Sequence, residues 1–95
     1  MVKNSVLHLV LKHNWYDKIT SGTKTSEYRK CSAYWDKRFT QKHYTVVVFH
    51  KGYTKTTAAY KILSIGITTS KNDLCLSECW EIKLGAKLPI NIDIE

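Results

Sequence analysis

The segment Tyr44–His50, YTVVVFH, restricts the fold more than any other stretch of this chain. Four consecutive β-branched residues, Thr45 to Val48, precede Phe49. Branched side chains lose rotamer freedom in a helix and pack well on a pleated surface, so this segment reads as a strand. The fold must then be built on a sheet, and the rest of the chain has to supply its partners.

Those partners are legible. SVLHLVLK alternates Leu7, Leu9 and Leu11 with Val6 and Val10, which fits a strand buried on both sides, with His8 half-buried within it. HNWYDKITSG reads as a short helix with Asn14 as N-cap, Asp17 in the first turn and Gly22 as the stop; Trp15 and Ile19 would face the sheet. KTSEYRK is a further strand. SAYWDKRF is a second short helix capped by Ser32, burying Tyr34 or Trp35 with the Arg38 stem or Phe39. KGYTKT is a turn with Gly52 at a positive φ. TAAYKILSIGI is a long strand, bent or bulged near Gly66. CWEIKL points Trp80, Ile82 and Leu84 inward, and KLPINIDIE puts Leu88, Ile90, Ile92 and Ile94 on one face. Five or six strands with two short helices in the N-terminal half give an α+β, mainly β, fold. So few residues with so much alternation most simply curl the sheet into a small β-barrel.

Ninety-five residues make one domain, residues 1–95, because a chain this short builds one core. One proline and four glycines exclude a linker or low-complexity protein. The charge is lopsided. Residues 1–61 hold twelve Lys/Arg against three Asp/Glu, a balance of +9; residues 62–95 hold three against five, −2. A one-sided positive field draws polyanions. With no long basic amphipathic helix, an anionic membrane is the poorer partner.

The apolar run VLHLVL is too short for a signal-peptide core or a membrane span. The three cysteines, Cys31, Cys75 and Cys79, lack the paired spacing of a zinc site. The expectation is a reduced, cytoplasmic protein with no metal, no cofactor and no membrane contact, and monomeric.

The stretch Ser21–Trp35, SGTKTSEYRKCSAYW, sets a single glutamate among Lys24, Arg29 and Lys30, with Tyr28, Tyr34 and Trp35 around it. Lys24 is a point charge suited to a phosphate or a developing oxyanion. Glu27 accepts only: it can take the exocyclic amine of a base, or act as general base toward a ribose hydroxyl. Arg29 has two available roles, bidentate phosphate contact and plain neutralisation of Glu27. Tyr28, Tyr34, Trp35 and Tyr53 offer stacking faces, although Trp15, Trp35 and Trp80 read as core first. Lys51 and Lys55, on either side of Gly52 and Tyr53, extend the basic cleft or only keep a hairpin soluble. A straight strand would point Lys24 and Glu27 to opposite faces. They share a pocket only if a turn or bulge lies between Gly22 and Ser26.

The segments SGTKTSEYR, YW.KRF, VVFHKGYTK and WEIKLG resemble, in this order, the ASCH domain (activating signal cointegrator homology) of the PUA-like superfamily. The resemblance covers most of residues 7–85. It centres on Gly22, Lys24 and Arg29 in a G-x-K-x-x-E-x-R pattern, and its Tyr-Trp and Gly-Tyr segments are similar to the small bacterial and prophage variant. It implies a β-barrel with a cleft between barrel and first helices, where relatives bind RNA or modified bases. One branch hydrolyses N4-acetylcytidine and another is described as a ribonuclease. The amidohydrolase pattern places Thr three residues after the Lys; here that position is Glu27, a poor nucleophile for amides, which demotes that activity. The expectation is therefore binding of RNA or a modified nucleotide, with Lys24, Glu27, Tyr28, Arg29, Tyr34, Trp35, Arg38, Tyr53 and Lys55 as candidate site residues. A small hydrolase using Lys24 and Glu27 comes second, and a protein-binding inhibitor module third.

Overall fold

The TVVV run lies in an interior strand of the sheet. In the computed structural model, which describes residues 4–89, it forms the middle of β3 (His43–Lys51). Around it stand β1 (Asn4–Leu11), β2 (Ser26–Lys30), β4 (Thr57–Thr68) and β5 (Cys79–Leu88), with helices α1 (His13–Thr20) and α2 (Ala33–Gln41). The fold is α+β and mainly β: one five-stranded sheet, ordered β1-β3-β4-β5-β2, curled into a half-barrel. The last apolar positions of KLPINIDIE, from Ile90 on, lie outside the described residues.

Topology follows from one long-range choice. β1 pairs with β3 in parallel, so α1, β2 and α2 together form the crossover between them. The other ladders are antiparallel. This leaves β1 and β2 as the two sheet edges, with α1 joining β1 to β2 and α2 joining β2 to β3. The edge of β1 is protected by α2: Arg38 Nη2 donates to the His8 carbonyl oxygen at 3.0 Å.

The core lines the concave side. Leu7, Leu9 and Leu11 of β1, Val47 and Phe49 of β3, Ala58 and Tyr60 of β4, and Trp80 and Ile82 of β5 are buried together with Tyr16, Ile19 and Phe39 from the helices. Side chains such as Phe49 and Leu7, both fully buried, each contribute about 1.5–3 kcal/mol of transfer free energy. β1 is buried on one face only, contrary to its pattern. Val10 and His8 are exposed because nothing packs over the outer face of β1 at these positions.

Local signals are mostly obeyed, with three shifts. α1 starts two residues earlier than Asn14 would set it: Lys12 is the N-cap and makes no side-chain cap bond, Asp17 falls beyond the first turn, and Tyr16 joins Ile19 in the core while Trp15 is half-buried. The irregularity in β4 falls between Tyr60 and Ser64, not at Gly66. There Leu63 comes so close to Gly85 that a Cβ on the glycine would lie 3.0 Å from Leu63 Cδ2. Of the aromatic pair on α2, Trp35 is half-buried and Tyr34 exposed, while Phe39 supplies the buried anchor. Ser32 caps α2 as its sequence suggests, accepting from Trp35 N at 3.3 Å. Gly22 closes α1 at φ +84° and Gly52 turns the β3–β4 hairpin at φ +56°.

Candidate functional site

The turn that Lys24 needs is present. After α1, Gly22 N donates to Ile19 O at 3.1 Å and Lys24 N to Lys18 O at 3.0 Å, which folds the chain back before β2 begins. Thr25 O then accepts from Leu84 N at 3.0 Å, tying the turn to β5. The side chains of Lys24 and Glu27 consequently meet, with Nζ 3.2 Å from Oε1. Glu27 faces the core side of β2, opposite Ile82, and is 4 % exposed. Its other oxygen, Oε2, accepts from Arg29 Nη1, two residues on along the same face. Arg29 Nη1 also donates to Tyr28 O at 2.9 Å. A carboxylate buried this deeply is tolerable only when its charge is matched, and two cations match it.

These groups line a cavity of about 200 Å³ between the end of β1, α1 and the edge of β2. Trp15 and Tyr28 stand over Lys24, their ring centroids 4.9 Å and 5.0 Å from Nζ. Tyr28 belongs to the opposite face of β2 but reaches the cavity because β2 is an edge strand. Burial, with the Glu81 carboxylate adding to it, raises the Tyr28 phenol above its ordinary value, so the hydroxyl stays a neutral donor. Val10 and Leu74, both exposed, give the cavity an apolar edge.

A further charged group comes from far along the chain. Asp73, in the β4–β5 loop, places Oδ2 against Lys24 Nζ. Lys24 thus holds two carboxylates, Glu27 and Asp73, between two aromatic faces. The polar loop SKND gives no local sign of this, since an Asp beside an Asn reads as turn chemistry. Trp15 was also hidden, because an aromatic at helical spacing from Ile19 reads as core.

The remaining candidates are placed elsewhere. Trp35 packs on Phe39 at 5.2 Å between ring centroids, and the Arg29 and Arg38 guanidinium carbons each lie 5.4 Å from its ring. Trp35 therefore touches Arg29 but does not line the cavity. Arg38 is committed to His8 O and to Tyr34 Oη, the latter at 3.1 Å. Tyr53, 99 % exposed, and Lys55 lie in the β3–β4 hairpin outside the cavity wall, and Lys51 pairs with Asp17 at 2.9 Å.

Cys75 is exposed in the loop while Cys79 is buried at the start of β5, so the CLSEC pair does not converge. Burial, then the neighbouring Cys31 and Glu81, pushes the Cys79 thiol up, away from reactive thiolate character. Among the described residues no group of three or more His, Cys, Asp or Glu is placed to hold a metal ion. No helix among them is long and apolar enough to cross a membrane.

In comparisons with known proteins, no family model, no curated protein and no solved structure matches the chain.

Proposed function

We propose that this cleft binds one base of an RNA or of a modified nucleotide. The observation that carries the reading is Glu27: a buried carboxylate, held by Lys24 and Arg29, lining a cavity walled by Trp15 and Tyr28. Each carboxylate oxygen that accepts one cation retains a lone pair, which suits the exocyclic amine of a base. The aromatic walls offer stacking, worth about 1–3 kcal/mol per base in single-strand binders. A cavity of about 200 Å³ is smaller than the roughly 300–1,000 Å³ that holds drug-sized ligands, which favours one planar ring over a longer segment. The +9 balance of residues 1–61 supplies the field that brings in a polyanion. The resemblance of the Gly22, Lys24 and Arg29 pattern to ASCH domains supports the same reading.

Equilibrium binding of single-stranded RNA and of free nucleosides tests it. Log K for RNA should fall linearly with log salt, by about 0.7 per phosphate neutralised. Lys24→Met should weaken binding by about 1–3 kcal/mol, as loss of a charge-assisted contact does. Lys71→Met, in the β4–β5 loop, should cost a small, salt-sensitive fraction of that. Equal losses at the two lysines, or no binding at low salt, would refute the site. Mass spectrometry of the same mixtures separates retention of the ligand from its cleavage.

A further inference from the structure

Lys24 and Asp73 form a common wall between two recesses. Beyond the base-sized cavity lies a second recess of about 310 Å³. Trp15, Lys24, Tyr28 and Asp73 line both. The chemistry of the second differs from that of the first. It adds Lys18, Thr23, Thr25 and Ser26, a cation and three hydroxyls, of which Ser26 Oγ already donates to Glu81 Oε2 at 2.9 Å; the first adds instead Val10, Leu11 and Leu74, with Lys12, Arg29 and the paired Glu27. Lys18 Nζ stands 4.7 Å from the Trp15 ring, on the helix that borders the recess. Cations and hydroxyl donors converging on one hollow are what an oxyanion needs. In the structure that hollow already has an anion at its edge: the Asp73 carboxylate on Lys24.

The way Asp73 is held makes it displaceable. Asn72 organises the loop from within, accepting from Leu74 N at 3.0 Å and Leu76 N at 3.3 Å and donating to Leu76 O at 2.8 Å. Cys75, at φ +56°, completes that turn. The other hydrogen bonds of residues 69–77 stay within the loop or reach Thr68 at the end of β4. Among the described residues, the contact of Asp73 with Lys24 is the one hydrogen bond that ties this loop to the rest of the fold. Most loop side chains are exposed, so little apolar burial opposes its release.

We infer that the second recess is a phosphate subsite and that Asp73 is its resident competitor: a ligand phosphate takes Lys24 by displacing the Asp73 carboxylate. This deepens the base-binding reading and rests on it for the identity of the ligand, a nucleotide with its ring in the first cavity and its phosphate in the second. Asp73 then sets selectivity. Nucleosides meet no competition, whereas phosphorylated ligands must first replace an internal anion.

The test is calorimetric titration of the full chain with inorganic pyrophosphate, cytidine and cytidine 5′-monophosphate, for wild type, Asp73→Asn and the Asp73→Asn/Lys24→Met double variant. Asparagine keeps the shape of the side chain and removes its charge. Asp73→Asn should bind pyrophosphate and the monophosphate about tenfold or more tighter than wild type, with cytidine unchanged, and the double variant should lose that gain. Asp73→Ser repeats the measurement with a side chain too short to reach Lys24. Equal pyrophosphate affinity in wild type and both Asp73 variants overturns the proposal, as does a gain that survives Lys24→Met or is shared by cytidine. A pyrophosphate gain with no cytidine or monophosphate binding by any variant keeps the anion subsite and removes only the base-binding reading.

Discussion

Glu27→Gln should be among the most destabilising single substitutions in the chain, although it changes one atom. The wild-type carboxylate lies 3.2 Å from Lys24 Nζ and also contacts Arg29 Nη1. At an effective dielectric of about 20, one such pair is worth roughly 5 kcal/mol of direct attraction, against a desolvation cost of several kcal/mol per ion. An amide cannot replace this. It offers one acceptor, and its NH2 turns toward one of the two cations. Removing one partner of a buried ion pair costs about 3–5 kcal/mol. Here the loss is smaller, because Lys24 keeps Asp73 and Arg29, with its side chain 19 % exposed, keeps Tyr28 O and some water. About 2–4 kcal/mol remains, and at about 4–8 °C per kcal/mol for a domain of this size the melting temperature should fall by roughly 10–25 °C. Circular dichroism melts and urea titrations measure it. The triple variant Lys24→Met/Glu27→Leu/Arg29→Met removes the buried charges together, leaving only the part-exposed Asp73 without its cation, and should recover much of the loss, since apolar replacements of a whole buried network are often neutral or better. A Glu27→Gln protein that melts within about 3 °C of wild type, a shift below 1 kcal/mol, would refute the network as an energetic unit. So would a triple variant no more stable than the single one.

Three further outcomes are expected. His8 Nδ1 and His50 Nε2 share one hydrogen bond at 3.0 Å, and partial burial, then His50, then Arg38 lower the His8 pKa below its ordinary 6.5. The unfolded chain therefore binds more protons just below that value, so stability is full above pH 6.5 and declines as pH falls toward the lowered folded pKa; His8→Gln should flatten this part of a melt-versus-pH curve. Gly52→Ala should destabilise more than Gly22→Ala in parallel melts. Both glycines sit at positive φ, which costs a β-carbon about 1–2 kcal/mol, but only at Gly52 would the new Cβ lie 3.0 Å from His13 Nε2. Trp80→Phe should cost about 1–3 kcal/mol in urea unfolding, since the smaller ring leaves space in the core beside Phe39 and the bond from the indole Nε1 to Asp36 Oδ1 at 2.8 Å is lost.

What the sequence by itself determined is local. The branched run Thr45–Val48 became β3, Leu7, Leu9 and Leu11 entered the core, Ser32 capped α2, and Gly22 and Gly52 took positive φ. Each depends on dihedral preferences or on a periodicity a few residues long. The pairing of Lys24, Glu27 and Arg29 was legible for the same reason, because six residues and one glycine turn suffice to bring them together. Tertiary structure alone decided the rest. It made β1 parallel to β3, left β1 and β2 as edges, and left the outer face of β1 uncovered, which exposed Val10 and His8 against the pattern of their own strand. It set His8 against His50, 42 residues away, and Asp73 against Lys24, 49 residues away. An aspartate in a polar loop has the same local chemistry whether it faces water or a lysine. Only the fold of the intervening chain settles which it meets, and with it whether the lysine waits for a ligand's anion or already holds one.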